Sequence, residues 1–241
     1  MRAILTYHSV DDSGSPISID EPAFARHVDF LASGRVRVLT LEELAAASAG
    51  EDAVALTFDD GYRNFATTAW PRLRDADLPA TLFVVTGRTG LDNRWDGRGA
   101  PTPAFELLDW DGLAEVAAQG VSLGSHSRSH PRLPAVGDDA LVAEVAGSAD
   151  DLEARTGTRP TAFCYPYGRV DDRVATAVAD RYRYACTTEL RPLSTGDRRE
   201  RLPRLDAFYL RAPGRLEAWG ARRFRWHLQA RALVRRVRGR S

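Results

Sequence analysis

The 241-residue sequence predicts a single α/β domain built on a parallel sheet or barrel. Short apolar segments that favour strands alternate with segments of helical periodicity, an order typical of parallel β-α-β units. About seven such units precede residue 214 without an internal repeat or a break in composition. The hydrophobic content of 44% and the charged content of 27% are those of an ordinary soluble globular protein, which excludes disordered and fibrous folds.

The predicted elements follow one another in order up to residue 187. Apolar, β-prone residues predict strands at 3–7, 36–39, 53–58, 80–85, 121–124, 161–164 and 184–187. Amphipathic periodicity predicts helices between them, at 22–32, 41–47, 62–76, 110–118, 139–155 and 172–181. Thr40 and Glu43 predict a capping box, and Gly157 predicts a helix end. The Gly-, Pro-, Arg- and Asp-rich segment 86–105 predicts an insertion on the rim of the domain.

The formal net charge of zero conceals an uneven distribution along the chain. Nine Arg and one Glu give residues 215–241 a charge of +8, which leaves 24 basic and 32 acidic residues, or −8, in residues 1–214. All basic residues are Arg, so lysine Schiff-base and phosphate-lysine mechanisms are excluded. The acidic body argues against nucleic acid as a partner and, more weakly, against a polyanionic substrate.

The sequence carries no recognisable export or membrane-spanning signal. The N-terminal apolar run is too short for a signal peptide, and no run of 18 apolar residues predicts a span. Cys164 and Cys186 provide no disulfide framework and cannot form a thiolate zinc site by themselves. These observations predict a cytoplasmic protein, either free or peripheral at the inner face of the membrane.

Two adjacent carboxylates, Asp59 and Asp60, come directly after the strand predicted at 53–58, and Gly61 allows the chain to turn. Parallel α/β folds place their sites at the carboxyl ends of strands, and a cation would relieve the repulsion between the two acids. Taken alone, Asp-Asp-Gly is more typical of a turn and a helix cap. The functional interpretation becomes stronger because polar residues also stand at the ends of other predicted strands.

Two histidines four residues apart, His126 and His130, come after the strand predicted at 121–124. With one carboxylate they make a set that zinc or another divalent ion accepts while leaving positions for water and substrate. A single loop histidine is more often only a polar residue, but the pair favours a metal site.

A third strand end carries Tyr165, Pro166, Tyr167 and Gly168. A proline-fixed turn can leave backbone N–H groups facing a developing oxyanion, although an aromatic core plug is an equal alternative. Cys164, just before this turn, is interpreted as a small buried apolar residue.

At these three motifs the chain resembles the polysaccharide deacetylase family, carbohydrate esterase family 4, from residue 3 to about residue 206. The resemblance implies a distorted (β/α)7-type barrel of parallel strands, with residues 1–214 as the catalytic domain. It implies a carbohydrate N-deacetylase that removes acetyl groups from an N-acetylated sugar, glycan or glycoconjugate and releases acetate. An O-acetyl esterase, a small-molecule amide hydrolase and an inactive carbohydrate-binding relative stay open as alternatives.

The resemblance also implies a role for each motif residue. Asp59 falls on the family's general base, and the backbone N–H of Tyr167 on its oxyanion donor. Asp60, His126 and His130 fall on the ligands of one divalent metal ion, with Zn²⁺ preferred over Co²⁺, Ni²⁺ and Mn²⁺.

The sequence departs from the family's pattern at two positions. The family has an arginine that orients the base where this chain has Cys164, and its late Leu-x-His is absent. The opening segment 4–8 resembles the branch of biofilm poly-N-acetylglucosamine deacetylases, in which the acid histidine lies on the first strand, so His8 is the predicted general acid. Arg204, in a Leu-Pro-Arg segment similar to that branch, is predicted to replace the missing arginine, with an ordinary surface arginine as the equal alternative.

The tail, residues 215–241, forms a basic amphipathic surface when it is drawn as a helix. Phe224 and Leu228 disturb the segregation of its faces, so two alternatives stay open: a helix packed on the acidic body, or a helix lying on an anionic membrane surface. The apolar side comprises Trp219, Trp226, Ala230, Leu233, Val234 and Val237.

Overall fold

Eight parallel strands form the central sheet of the computed structural model, which describes residues 1–95 and 103–237. The described residues contain ten strands in all: β1 (Arg2–Tyr7), β2 (Ser9–Val10), β3 (Ser18–Ile19), β4 (Arg37–Val38), β5 (Ala53–Phe58), β6 (Thr81–Val84), β7 (Ser122–Ser125), β8 (Ala162–Cys164), β9 (Tyr184–Cys186) and β10 (Leu205–Asp206). The order across the sheet is β10-β1-β5-β6-β7-β8-β9, β4 also pairs with β5, and β2 with β3 form a separate small sheet.

The residues before β10 connect the two edges of the sheet. Leu202 forms a parallel bridge with Cys186 of β9, and three residues later Leu205 pairs with Leu5 of β1. The sheet therefore curls into the distorted (β/α) barrel that the sequence predicts, in a single α/β domain. Because all its strands are parallel, their carboxyl ends meet at one rim.

Alternation along the strands separates two apolar layers. Ile4 and Ala55 point into the barrel with Phe83 and Cys164. Their neighbours Leu5 and Val54 point the other way and pack against the surrounding helices. All six residues of β5 are buried, as a strand covered on both faces requires. The strand ends at this rim are therefore held on rigid, fully packed elements.

Seven α-helices surround the sheet in the described part of the chain. They are α1 (Glu21–Ala32), α2 (Leu41–Ala46), α3 (Trp70–Asp75), α4 (Trp110–Ala118), α5 (Asp138–Thr156), α6 (Asp172–Ala179) and α7 (Arg222–Val237). The predicted capping box is confirmed: Glu43 donates its N–H to Thr40 Oγ1, and Glu43 Oε2 accepts from the Thr40 N–H. Gly157, at φ 70°, ends α5 as predicted.

Two predicted segments differ in detail from the structure. The helix expected at 62–76 is a π-helical turn, Phe65–Ala69, that continues into α3. Pro71 has no N–H to donate. Just before it, the helical hydrogen bonds shift by one residue, so that the Trp70 N–H donates to the Phe65 carbonyl oxygen. In the predicted insertion at 86–105, residues 96–102 lie outside the described residues.

The helix α7 presents different residues to the body and to solvent. Phe224 and Leu228 are buried in the main core, while Trp226, Leu233 and Val237 on the other side are 71%, 64% and 81% exposed. The final residues of the predicted tail, 238–241, lie outside the described residues. Among the helices of the described ranges, none is both long enough and apolar enough to cross a bilayer.

Candidate metal and catalytic site

The three sequence motifs meet at the carboxyl rim in an unusual backbone conformation. Five described non-glycine residues have positive φ, and four of them are in these motifs: Asp60 (73°), Ser127 (65°), His130 (62°) and Tyr167 (58°). Each such residue costs free energy that the surrounding packing must offset, and this kind of strain concentrates at functional sites. The local chain is therefore shaped to aim these side chains at one point.

The predicted metal ligands lie together beneath the rim. Asp60 Oδ1 is 3.4 Å from His126 Nε2 and 3.6 Å from His130 Nε2, and all three side chains are buried. His126 Nδ1 lies 2.7 Å from the carbonyl oxygen of Cys164, so a neutral His126 carries its proton there and leaves the Nε2 lone pair facing Asp60. This tautomer is the one that a metal bound through Nε2 needs.

The residues present fit a divalent cation. Asp60 Oδ1 is buried and makes no hydrogen bond to the described residues, although it faces two imidazole nitrogens. A buried carboxylate oxygen without a donor is costly, and one carboxylate with two imidazoles is a set that zinc and related ions accept. Asp60, His126 and His130 could therefore hold a divalent ion and leave other coordination positions open.

The ionisable groups of this cluster shift one another's pKa. Burial opposes protonation of His126, but Cys164, Asp60 and Asp59 outweigh it and raise the pKa of His126 well above its usual value. Burial opposes ionisation of Asp60, but His126 and His130 outweigh it and hold the pKa of Asp60 well below its usual value. Burial, together with the positive charge of His126, lowers the pKa of His130 to about 3. His130 is therefore neutral at physiological pH, which is the state in which imidazole binds a metal.

The loop between the two histidines is fixed by hydrogen bonds to α5. Glu144 Oε2 accepts from the N–H groups of Arg128 and Ser129, both at 2.9 Å. Within the loop, His130 N–H donates to Ser127 Oγ at 3.0 Å. The spacing of four residues therefore brings both imidazoles to one side of a rigid turn.

Arg204 binds the second carboxylate of the motif, Asp59. Its Nη1 and Nη2 donate to the two carboxylate oxygens of Asp59, both at 2.7 Å, and its Nε donates to the Thr187 carbonyl at 3.0 Å. Arg204 is only 1% exposed, so it is not an ordinary surface arginine. Burial raises the pKa of Asp59, but the charge and hydrogen bonds of Arg204 outweigh it and lower this pKa to about 2.

Cys164 makes room for this arrangement. Arg204 Nη2 donates to Cys164 Sγ at 3.0 Å, and Sγ lies 3.6 Å from Asp59 Oδ2. The thiol is fully buried, and burial raises its pKa. A small neutral side chain at 164 thus leaves the space beside Asp59 to a guanidinium that comes from elsewhere in the chain.

His8 and Tyr167 complete the predicted set. His8 comes directly after β1, its Nε2 is 3.7 Å from Asp59 Oδ2, and its side chain is 26% exposed. Tyr167 occupies a 3₁₀ turn with Gly168, where any side chain at 168 would clash with Thr188. All the predicted site residues therefore lie at this rim, with the more accessible His8 on one side of Asp59.

Sequence reasoning missed one aromatic contact at the site. The Trp95 ring centroid is 4.6 Å from that of His130, although nothing in the composition of the 86–105 segment singled this residue out. His27 is buried, with Nδ1 3.1 Å from the Tyr7 hydroxyl and Nε2 3.0 Å from the Leu210 carbonyl. The contact between His27 and Tyr7 holds the last residue of β1 in place, next to His8.

Comparisons with other proteins agree with the fold and the motifs. A sequence profile of the polysaccharide deacetylase family matches residues 46–185. YxkH of Bacillus subtilis (strain 168) is 26% identical over 192 residues, which cover 77% of this chain and 64% of that protein. The poly-β-1,6-N-acetyl-D-glucosamine N-deacetylase of Staphylococcus aureus (strain N315) is 22% identical over 201 residues, or 79% of this chain and 69% of the relative.

Solved structures share the architecture. IcaB from Ammonifex degensii has a TM-score of 0.76 at 24% identity, over 94% of this chain and 97% of that one. BC0361 from Bacillus cereus has a TM-score of 0.71 at 25% identity, over 85% of this chain and 64% of that one. The chain therefore spans less than two thirds of the length of YxkH and of BC0361. Since the family profile covers more than half of the sequence, the chain belongs to the polysaccharide deacetylase family of hydrolases.

Proposed function

We propose that this chain is a metal-dependent carbohydrate N-deacetylase that releases acetate from an N-acetylated sugar, glycan or glycoconjugate. The observation that carries the proposal is the placement of two groups side by side at one rim. The first is the ligand set Asp60, His126 and His130; the second is Asp59, with Arg204 on one side and His8 on another.

Hydrolysis of an acetamide needs a base, an oxyanion donor and an acid. A divalent ion, when bound, polarises the acyl carbonyl and lowers the pKa of water. Asp59, kept ionised by Arg204, accepts the proton of the water whose oxygen bonds to the acetyl carbon. The backbone N–H of Tyr167 donates to the tetrahedral oxyanion, and protonated His8 donates to the nitrogen as the C–N bond breaks. The products are acetate and a free amine.

An N-acetylated glycan is favoured over the other substrates. An amine is a poor leaving group, and an acid placed beside the base serves amide cleavage more than ester cleavage. The charge of −8 on residues 1–214 disfavours polyanions. The Staphylococcus aureus relative is named for a poly-N-acetylglucosamine, which makes N-acetylhexosamine oligomers the first compounds to assay.

The test is acetate release from matched N-acetylated and O-acetylated sugars, after chelation and again after addition of Zn²⁺, Co²⁺, Ni²⁺ or Mn²⁺. His126→Ala and His130→Ala should each lose both bound metal and acetate release. His227→Ala is a matched control, because His227 lies on α7 and its Nε2 is 2.8 Å from the carbonyl oxygen of Tyr209. Full activity of metal-free His130→Ala would contradict the proposal, and release from O-acetyl substrates alone would assign the esterase alternative.

We also propose that the outer side of α7 binds an anionic membrane surface. Trp226, Leu233 and Val237 are exposed apolar residues, and α7 contains six arginines and no acidic residue. A second copy of this helix would bring arginine against arginine, whereas lipid phosphates would complement the charge.

The lipid proposal is tested by sedimentation with phosphatidylglycerol or phosphatidylcholine vesicles. The full chain should pellet with the anionic vesicles only, and less at high salt because the attraction is screened. Trp226→Ser with Leu233→Ser should abolish binding and leave acetate release unchanged. These surface changes are preferable to truncation at 214, which would remove the buried Phe224 and Leu228. No binding to anionic vesicles, or dimer formation by the full chain instead, would contradict the proposal.

A further inference from the structure

The two histidines of the ligand set are held in different ways. His126 has the usual arrangement, with Nε2 towards Asp60 and Nδ1 bonded to the Cys164 carbonyl. His130 also faces Asp60 with Nε2, but its Nδ1 is buried and has no hydrogen-bond partner among the described residues. A metal-ligating histidine ordinarily has its ring fixed by a hydrogen bond at the other nitrogen. The orientation of the His130 ring must therefore come from packing.

Aromatic rings surround His130. The Trp95 centroid lies 4.6 Å from the imidazole centroid with an interplanar angle of 31°, the flattest of its ring contacts. The Tyr167 ring, at 4.6 Å and 67°, and the His126 ring, at 4.8 Å and 72°, meet it nearly edge to face. Ring pairs at such distances stabilise one another beyond the area that they bury. Together they restrict the rotation of the imidazole.

The segment that carries Trp95 is anchored to the rest of the site. Asn93 is buried, donates to the Tyr62 hydroxyl at 3.3 Å and accepts from the Phe105 N–H at 3.0 Å. Tyr62 comes directly after the Asp59-Asp60-Gly61 turn. Trp95 is therefore tied, through Asn93, to the same strand end that supplies Asp60.

We infer that Trp95 is a positioning residue that holds the His130 imidazole towards the metal in place of a hydrogen bond. The inference rests on the metal site of the proposed function. A ring already held in the binding orientation loses less rotational freedom when the ion binds, so Trp95 raises metal affinity. Outer partners of metal ligands typically contribute 10- to 100-fold to affinity, and we expect about tenfold here.

The experiment measures metal affinity directly, by competition with a chromogenic chelator on the full chain, and follows the visible spectrum of bound Co²⁺. Trp95→Ala should bind Zn²⁺ and Co²⁺ about tenfold more weakly than the unmodified protein and change the Co²⁺ spectrum. Trp95→Phe keeps a ring and should stay within about threefold, whereas Trp95→Leu keeps apolar volume without a ring and should resemble Trp95→Ala. Trp110→Ala, a half-buried tryptophan at the start of α4 that contacts Arg155, is the matched control.

The outcomes separate this inference from the proposed function. If Trp95→Ala and Trp95→Leu bind metal as the unmodified protein does, while KM alone rises, Trp95 contacts the sugar only and the inference is wrong. Equal losses in the Phe and Ala variants would also overturn it, since the ring would then be irrelevant. If the unmodified protein binds no divalent metal, both the metal site and this inference fail.

Discussion

The charge of Asp59 at the carboxyl rim is determined by a neighbouring side chain. Asp59 is buried, and a buried carboxylate alone would resist ionisation. The bidentate guanidinium of Arg204 reverses that tendency, and the Thr187 carbonyl fixes Arg204 in turn. The proposed base thus depends on a side chain 145 residues away in the sequence.

Replacement of Arg204 is expected to move the acidic limb of the pH profile. Asp59 acts as a base only when it is ionised, so activity falls as the pH drops through the pKa of Asp59. In the unmodified protein, with Arg204 present, this pKa is about 2. In Arg204→Ala the attractive charge is gone while burial remains, so this pKa rises and the limb moves to higher pH. Profiles of kcat/KM measure the shift, with the exposed Arg211→Ala as control. An unchanged limb would mean that Arg204 does not determine the ionisation of Asp59.

Replacement of His8 should distinguish amide from activated-ester hydrolysis. His8→Ala removes the proposed acid, so turnover of an N-acetylated sugar should fall on the order of a hundredfold while the metal stays bound. Hydrolysis of p-nitrophenyl acetate should change little, because its leaving group needs no proton. Asp59→Asn should lower both reactions, since each needs the base. Equal losses on the two substrates in His8→Ala would place the acid elsewhere.

At this scale the sequence revealed the motif residues but not their partners. Asp59, Asp60, His126 and His130 stand at strand ends in recognisable order, so their meeting at one rim was predictable. Arg204 was one of 33 basic residues and depended on a resemblance alone. Trp95 could not be found, because its contact with His130 depends on how a loop folds back, which no local periodicity encodes.

At the scale of elements, buried strands were predicted closely and irregular ones were not. The strand at 53–58 matches β5 residue for residue, since a continuous apolar run bounded by polar turns has few alternatives. The two-residue strands β2, β3 and β10 exist only through their pairing partners, so the sequence alone could not predict them. The π-helical turn before α3 was likewise not predictable, because Pro71 near the start of a helix is also compatible with an ordinary α-helical turn.

The two sides of α7 should differ in their effect on stability. Phe224→Ala or Leu228→Ala removes a buried side chain from the main core, and each should lower the free energy of unfolding by about 2–5 kcal/mol. Trp226→Ala and Leu233→Ala change exposed residues and should alter it by no more than about 0.5 kcal/mol. Urea denaturation measures both sets. Equal effects on the two sides would mean that α7 is not docked by Phe224 and Leu228.

At the scale of the whole molecule, the barrel joins strand ends that lie far apart in sequence. Asp60 comes after β5, the two histidines come after β7, and β6 lies between these strands in the sheet. An ion bound by all three residues would link the ends of these two non-adjacent strands. Without it, the fold holds a buried carboxylate oxygen with no donor among the described residues. Metal binding and folding are therefore expected to be coupled.

Divalent metal should accordingly raise the unfolding temperature of the whole domain. A ligand that binds only the folded state at 100 times its Kd adds about 2.7 kcal/mol, which corresponds to roughly 5–10 °C for a domain of this size. Calorimetry with Zn²⁺ and after chelation measures the difference. His130→Ala should lose this increment, whereas His227→Ala should retain it, because only His130 belongs to the ligand set. A chain that unfolds at the same temperature with and without Zn²⁺, while its hydrolysis still requires metal, would bind the ion too weakly for the site to support the fold.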